Sequence, residues 1–183
     1  MKSIQQHITE RLQLNKDRVQ QYKYIPDTKQ ELREILEEKL KKDKNADLND
    51  IDVSKITDMG AKDLGKVEDE YGFVDEMGLF ERLDPHNIKI NNWNVSNVED
   101  MTGMFSFSEF NQDISKWNVS NVVNMANMFR YSEFNNDISD WDISNVENMY
   151  GIFYNSKFNQ DLTSWKDKIK NSSQLKYIQD YIK

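Results

Sequence analysis

The sequence predicts an α/β solenoid, with one coil of chain per repeat, a short strand on one side of each coil and a helical turn on the other. The strands stack in parallel, and a helical cap closes each end. Two observations predict this. Trp93, Trp117, Trp141 and Trp165 stand 24 residues apart, and each of the first three opens a near-copy of the same 24-residue unit. Apolar stripes at helical spacing then flank the repeats on both sides, where an open stack needs covering.

The units read WNVSNVEDMTGMFSFSEFNQDISK (93–116), WNVSNVVNMANMFRYSEFNNDISD (117–140) and WDISNVENMYGIFYNSKFNQDLTS (141–164). Trp93 and Val95, repeated as Trp117 and Val119 and as Trp141 and Ile143, alternate as a strand with one buried face does. Met101, Met104 and Phe105 recur as Met125, Met128 and Phe129 and as Met149, Ile152 and Phe153. Spacings of three and four predict a helical turn laid on the same core. Phe110, Phe134 and Phe158, then Ile114, Ile138 and Leu162, carry the chain back to the next coil.

Polar positions repeat as well. Ser96, Ser120 and Ser144 stand beside Asn97, Asn121 and Asn145, while Asn111, Asn135 and Asn159 precede Asp113, Asp137 and Asp161. Short polar side chains cap turns by bonding nearby backbone, and in a stack they form ladders. The alternative, calcium bound along the aspartate ladder, is weaker: one carboxylate per coil falls short of the six to eight oxygens calcium takes. The tryptophan ladder of Trp93, Trp117, Trp141 and Trp165 could in principle stack sugars or bases, but Trp beside Val reads as core. The Met–Phe column reads as gap-filling core.

Positions that vary among the copies mark the surface. The stretch after each helical turn varies most: Ser106-Phe107-Ser108-Glu109, Arg130-Tyr131-Ser132-Glu133 and Tyr154-Asn155-Ser156-Lys157. Phe107, Arg130, Tyr131 and Tyr154 are therefore candidate interface residues, since exposed aromatics and arginine anchor interfaces. Tyr71 and Phe73 are further candidates, because residues 60–78 interrupt the repeat as a glycine-rich, acidic, exposed loop or lobe.

Residues 1–20, with Ile4, Ile8 and Leu12 at helical spacing, form a docking or flexible segment. Residues 21–46 hold the N-terminal capping helix: Thr28 and Glu31 make a capping box ahead of Leu32, Ile35, Leu36 and Leu40, and Lys39, Lys41 and Lys42 suit its C-terminal end. Residues 47–92 form a degenerate first repeat, with Ile51 in the tryptophan position and Leu79-Phe80 in the Met–Phe position. Residues 93–165 are the three regular repeats. Residues 166–183 form the C-terminal helical cap, with Leu175, Ile178 and Ile182 on one face.

Composition narrows the function. The 183-residue chain has no cysteine, which removes disulfides, thiolate metal sites and cysteine nucleophiles. His7 and His86 are its two histidines, and nothing in the sequence pairs them, so no metal centre, cofactor or histidine triad is expected. No catalytic residues are assigned, and a hydrolase using paired acids is the remote alternative. Residues 51–183 carry 13 Lys and Arg against 22 Asp and Glu, which opposes nucleic-acid binding. No apolar run is long enough to span a bilayer, and the first residues lack a secretory core. The location is left open by these features, with the classical secretory route not expected.

The recurrent FNQDISKWNVSNV…NM..MF unit resembles that of the BspA-type leucine-rich-repeat surface proteins, over about residues 47–165. Tyr24–Leu32, followed by Asp50–Met59, resembles the N-terminal cap of short members. The resemblance implies a right-handed leucine-rich-repeat-like solenoid acting as a non-enzymatic adhesion or protein-interaction module, and it brings no catalytic residues. The family's cell-surface members generally carry an export signal or anchor, and the sequence shows neither; residues 60–78 also depart from the regular repeat. Met1–Asp17 resembles the N-termini of some phage-encoded members. The partner expected is a protein, either a virion component or a host surface ligand; an intracellular adaptor or decoy is the alternative.

Overall fold

A computed structural model describes residues 22–62, 66–68, 74–76, 78–81, 83, 87–169 and 172–182. The segment 1–20, Ile4, Ile8, Leu12, His7, His86, Tyr71 and Phe73 lie outside the described residues. Helix α1 spans Lys29–Lys42, strands β1 and β2 span Lys66–Glu68 and Val74–Glu76, and helix α2 spans Ser172–Ile178, with short 3₁₀ segments at Thr163–Lys168 and Gln179–Tyr181.

The predicted α/β architecture of stacked strands and helical turns is not what forms. The two named strands pair only with each other, antiparallel, inside the 60–78 interruption, with Lys66 opposite Glu76. Between Trp93 and Leu162 there is neither a strand nor an α-helix. Each coil is a chain of tight turns, and adjacent coils share isolated parallel bridges, Asp58 to Asp100, Asp100 to Asn124 and Asn124 to Asn148.

The reason lies in the polar residues between the apolar ones. Where Trp93 and Val95 would begin a strand, Asn94 Oδ1 accepts from the Ser96 N–H at 3.2 Å and hydroxyl at 2.7 Å. That bends the backbone, and Val98 N–H closes a turn on Val95 C=O at 2.9 Å. Asn118 and Asp142 do the same to Ser120 and Ser144. Where Met101 and Met104 would begin a helical turn, Gly103 takes φ +62°, as Asn127 (55°) and Gly151 (61°) do in the next coils. A left-handed residue ends a right-handed helix after one turn. The three-and-four apolar spacing thus comes from successive turns, Met104 N–H to Met101 C=O and Ser106 N–H to Gly103 C=O.

The interrupted backbone frees alternate N–H groups to reach the following coil. Met101, Gly103, Phe105 and Phe107 donate to the carbonyls of Asn124, Ala126, Met128 and Arg130, each at 2.9 Å. Met125, Asn127, Phe129 and Tyr131 donate likewise to Asn148, Tyr150, Ile152 and Tyr154 at 2.8–2.9 Å. All of these bonds point from the earlier coil to the later one.

The core runs the length of this stack. Phe105, Phe129 and Phe153 stack at 5.6 and 5.8 Å, and Phe110, Phe134 and Phe158 at 6.2 Å. Phe80 joins the first column 5.1 Å from Phe105, so the coil broken by the interruption still feeds the core. All four tryptophans are buried. Trp93 Nε1 donates to Leu48 C=O at 2.9 Å, and Trp117, Trp141 and Trp165 donate to Ile90, Ile114 and Ile138 at 3.2 Å.

Both ends carry helices. Thr28 Oγ1 accepts from Glu31 N–H, and the Glu31 carboxylate reaches Asp27 N–H at 2.7 Å, fixing the start of α1. Leu32, Leu36 and Leu40 face the core. On the same helix, Lys29 Nζ donates to Gly60 C=O at 3.0 Å, and Arg33 donates to the carbonyls of Gly78, Leu79 and Glu81 at 3.1, 2.6 and 3.1 Å. At the other end, α2 stops at Ile178, one turn short of a continuous helix through Ile182. Its inward residues are Gln174, which donates to Val146 C=O at 2.7 Å, and Ile178; Leu175 is exposed.

Candidate functional site

The stretch 106–109, 130–133 and 154–157 follows the second turn of each coil, and the backbone ladder fixes it: Phe107 N–H bonds Arg130 C=O, and Tyr131 N–H bonds Tyr154 C=O, both at 2.9 Å. Successive side chains are thereby held one coil apart. The Phe107 and Tyr131 rings stack at 4.8 Å, and Tyr131 meets Tyr154 edge-on at 5.7 Å. The Arg130 guanidinium lies 5.4 Å from the Phe107 ring, 5.1 Å from Tyr131 and 5.8 Å from Tyr154. Four of the six predicted interface residues therefore form one cluster. Phe107, Arg130 and Tyr131 are half-buried and Tyr154 is 55% exposed.

The backbone under this cluster is unusual. Phe107 and Tyr131 both have φ +52°, the left-handed region that bulky side chains avoid. The third copy places Asn155 there, also at φ +52°, and asparagine is among the few residues that suit it. Holding an aromatic residue in such a conformation costs on the order of 1 kcal/mol or more, and strain of this kind concentrates at functional positions. The stack itself does not need aromatics at these positions, because Asn155 serves the same turn.

Sequence reasoning missed Tyr150, which is 61% exposed and meets Tyr177 edge-on at 5.6 Å. The available signal was its departure from the repeat, since Thr102 and Ala126 occupy the equivalent place.

The polar positions act within the stack. Asn97, Asn121 and Asn145 donate through Nδ2 to the carbonyls of Ser54, Ser96 and Ser120 at 2.7–2.8 Å. Asn111 and Asn135 accept the N–H of Asn135 and Asn159 at 2.8 and 2.9 Å. Asp113, Asp137 and Asp161 each accept at 2.9 Å from the N–H two residues on, at Ser115, Ser139 and Thr163. No group of three or more His, Cys, Asp or Glu side chains among the described residues is placed to hold a metal ion.

The turn bonds have an electrostatic consequence. The Ser115 N–H and hydroxyl hold the Asp113 carboxyl below the usual carboxylate range, and Ser139 does the same for Asp137. For Asp142 the Ser144 hydroxyl is the leading cause, followed by its N–H. A depressed folded-state pKa stabilises the fold above the unfolded value, near 3.9, and that stabilisation is lost as pH falls through the lower folded values. Thermal stability should therefore hold level from neutral pH to about pH 5 and decline below about pH 4. The effect per residue is modest, because these groups face solvent. Asp113→Asn, which keeps the turn acceptor without the charge, should make the decline shallower; an unchanged acid slope would count against the assignment.

Turns locked in register, with one aromatic–arginine cluster held on them, define a repeat protein whose variable side chains sit on a fixed frame. The chain belongs to the family described as "Mycoplasma protein of unknown function, DUF285", which it matches over residues 75–180. This agrees, at the level of a BspA-like repeat family, with the resemblance read from the sequence. No curated protein matches the chain, and no solved structure does.

Proposed function

We propose that this protein is a non-catalytic interaction scaffold displayed at the surface of a cell or a virion, binding a partner protein through the Phe107–Arg130–Tyr131–Tyr154 cluster. The observation that carries the reading is the pair of aromatics kept at left-handed positions where asparagine also serves. Arginine over aromatic rings presents a flat, part-apolar surface whose charge is only partly hydrated, and such surfaces supply the energetic centre of interfaces.

The chemistry favours binding over catalysis. Among the described residues, the Glu38, Asp113, Asp137 and Asp142 carboxyls are held below their ordinary range. A hydrolase needs one acid held protonated near neutral pH, the opposite displacement.

The test is site-specific cross-linking on material from the native source. A photo-activated residue in place of Tyr154 should capture a protein partner, and the same residue in place of exposed Asn118 should not. Arg130→Ala in the Tyr154-labelled chain should weaken capture about tenfold or more, as loss of an interface centre does. Tyr131→Asn serves as the control for folding. Relief of strain offsets the lost ring contact to within about 1 kcal/mol, so its melting temperature should stay close to that of the parent while capture falls. Equal capture from both labelled positions would defeat the proposal.

A further inference from the structure

Bonds such as Val123 N–H to Glu99 C=O and Lys157 N–H to Ser132 C=O run back to the earlier coil, but along the strip 101–107 and 125–131 every inter-coil bond runs forward, which leaves the two ends of that strip chemically different. At the N-terminal end, the outward groups of the first coil are carbonyls, and α1 fills them: Lys29 serves Gly60, and Arg33 serves Leu79 and Glu81. At the C-terminal end of this strip the outward groups are N–H donors. Met149, Gly151, Phe153 and Asn155 hold the places of Met125, Asn127, Phe129 and Tyr131, which donate to a following coil. The matching φ values of Asn127 and Gly151, and of Tyr131 and Asn155, show that the backbone is set the same way. Among the described residues none of these four N–H groups has an acceptor. Ile178 and the Tyr181 ring, 5.1 Å from Phe153, close the core beside this edge, leaving Asn155 exposed and Gly151 partly so.

We propose that this edge binds an extended, acidic segment of a partner protein, whose backbone carbonyls continue the ladder at Gly151 and Asn155. The proposal rests on the scaffold reading and names the chemistry of the partner. Backbone addition to an open edge supplies affinity through main-chain bonds, with side chains setting the choice of partner. Tyr150 and Tyr154, the two most exposed large hydrophobic residues described, flank the edge and offer rings to alternate side chains of such a segment.

Charge selects the segment. Glu109 and Glu133 occupy equivalent places in the first two regular coils, but the last coil has Lys157 there. Lys176 lies over the Tyr177 ring at 4.9 Å, beside Tyr150. Residues 166–183 carry five lysines and two aspartates in a chain of net charge −8. An acidic segment meets attraction here and repulsion along the rest of the stack. A second copy of this chain does not supply the acceptors, because Lys29 and Arg33 already occupy its own first-coil carbonyls.

The experiment is a titration of the isotope-labelled full chain with the blocked peptide acetyl-(Glu-Val)₄-amide, read by the amide resonances of Gly151 and Asn155. Gly103 and Asn127, the equivalents of Gly151 inside the stack, serve as internal controls. Saturable shifts at Gly151 and Asn155, with Gly103 and Asn127 still, are expected. Acetyl-(Lys-Val)₄-amide, or the double variant Lys157→Glu, Lys176→Glu, should bind about tenfold more weakly. Silent edge amides at millimolar peptide overturn the proposal. So do identical shifts with inorganic phosphate, which would make the edge an anion site only. Shifts confined to Phe107 and Tyr131 also overturn the edge but leave the scaffold reading standing. Edge binding in a chain that gives no cross-link from position 154 would do the reverse.

Discussion

Arg33→Met should lower the stability of the chain by about 4 kcal/mol. Arg33 is 5% exposed, and its guanidinium satisfies the carbonyls of Gly78, Leu79 and Glu81. Methionine preserves the packing of the aliphatic stem but offers no donor. Gly78 C=O keeps the Glu81 N–H at 3.1 Å, so it is the carbonyls of Leu79 and Glu81 that lose their donor, at roughly 1–3 kcal/mol each. There is no slack nearby to absorb the loss: a Cβ at Gly78 would sit 2.2 Å from Gly103 C=O, so the first two coils are already in close backbone contact there. Arg33→Lys should recover only part of the stability, because one ammonium cannot reproduce a planar fork of donors aimed at three carbonyls. Urea denaturation of the three proteins tests this. A loss below about 1.5 kcal/mol for the methionine variant would mean that water takes over the carbonyls.

Trp141→Ala should cost about 4 kcal/mol and change the form of unfolding. A large buried aromatic reduced to alanine loses roughly 3–5 kcal/mol through transfer and cavity terms. Here the indole also gives up its bond to Ile114 C=O and its contact with Phe129, 6.4 Å away. Trp141 ties the third regular unit to Ile114 of the first and Phe129 of the second, and a stack of repeats depends on such interfaces between units. Weakening one interior interface should let the C-terminal coil and cap unfold ahead of the rest, splitting a single circular-dichroism transition into two. Trp141→Phe should retain one transition. A single steep transition in the alanine variant, shifted by less than about 1 kcal/mol, would contradict this account.

The repeat period, the buried columns and the capping helix α1 were legible because they rest on spacing and burial, which a sequence displays directly. The local conformation was not. Val95 and Val98 look like part of a strand until Asn94 is counted as an acceptor for Ser96, and Met101 and Met104 look helical until Gly103 is given a positive φ. In both places a short polar residue or glycine outweighed the apolar pattern over three or four positions, too few for periodicity to prevail. The C-terminal helix shows the same competition: Leu175 and Ile182 suggested a longer face, but the chain turns at Ile178 so that Tyr181 meets Phe153 and Phe158.

The candidate site was legible as residues and not as geometry. Variation among copies picked out Phe107, Arg130, Tyr131 and Tyr154, yet nothing in the spacing revealed that Arg130 sits among the three rings. That follows from the inter-coil bonds at Phe107 and Tyr131, which pair residues one repeat apart. Tyr150 was not legible in this way, because it is a single divergent residue within the turn, where Thr102 and Ala126 stand in the other copies.

Every regular coil meets its neighbour through the same donors and acceptors, and only the outermost surfaces are specialised. The junctions are therefore interchangeable in a way that the ends are not. Adding or removing one whole unit would lengthen or shorten the half-buried aromatic row while leaving both terminal helices on surfaces they already fit. The reach of the molecule is thus set by the number of units, independently of what secures its ends.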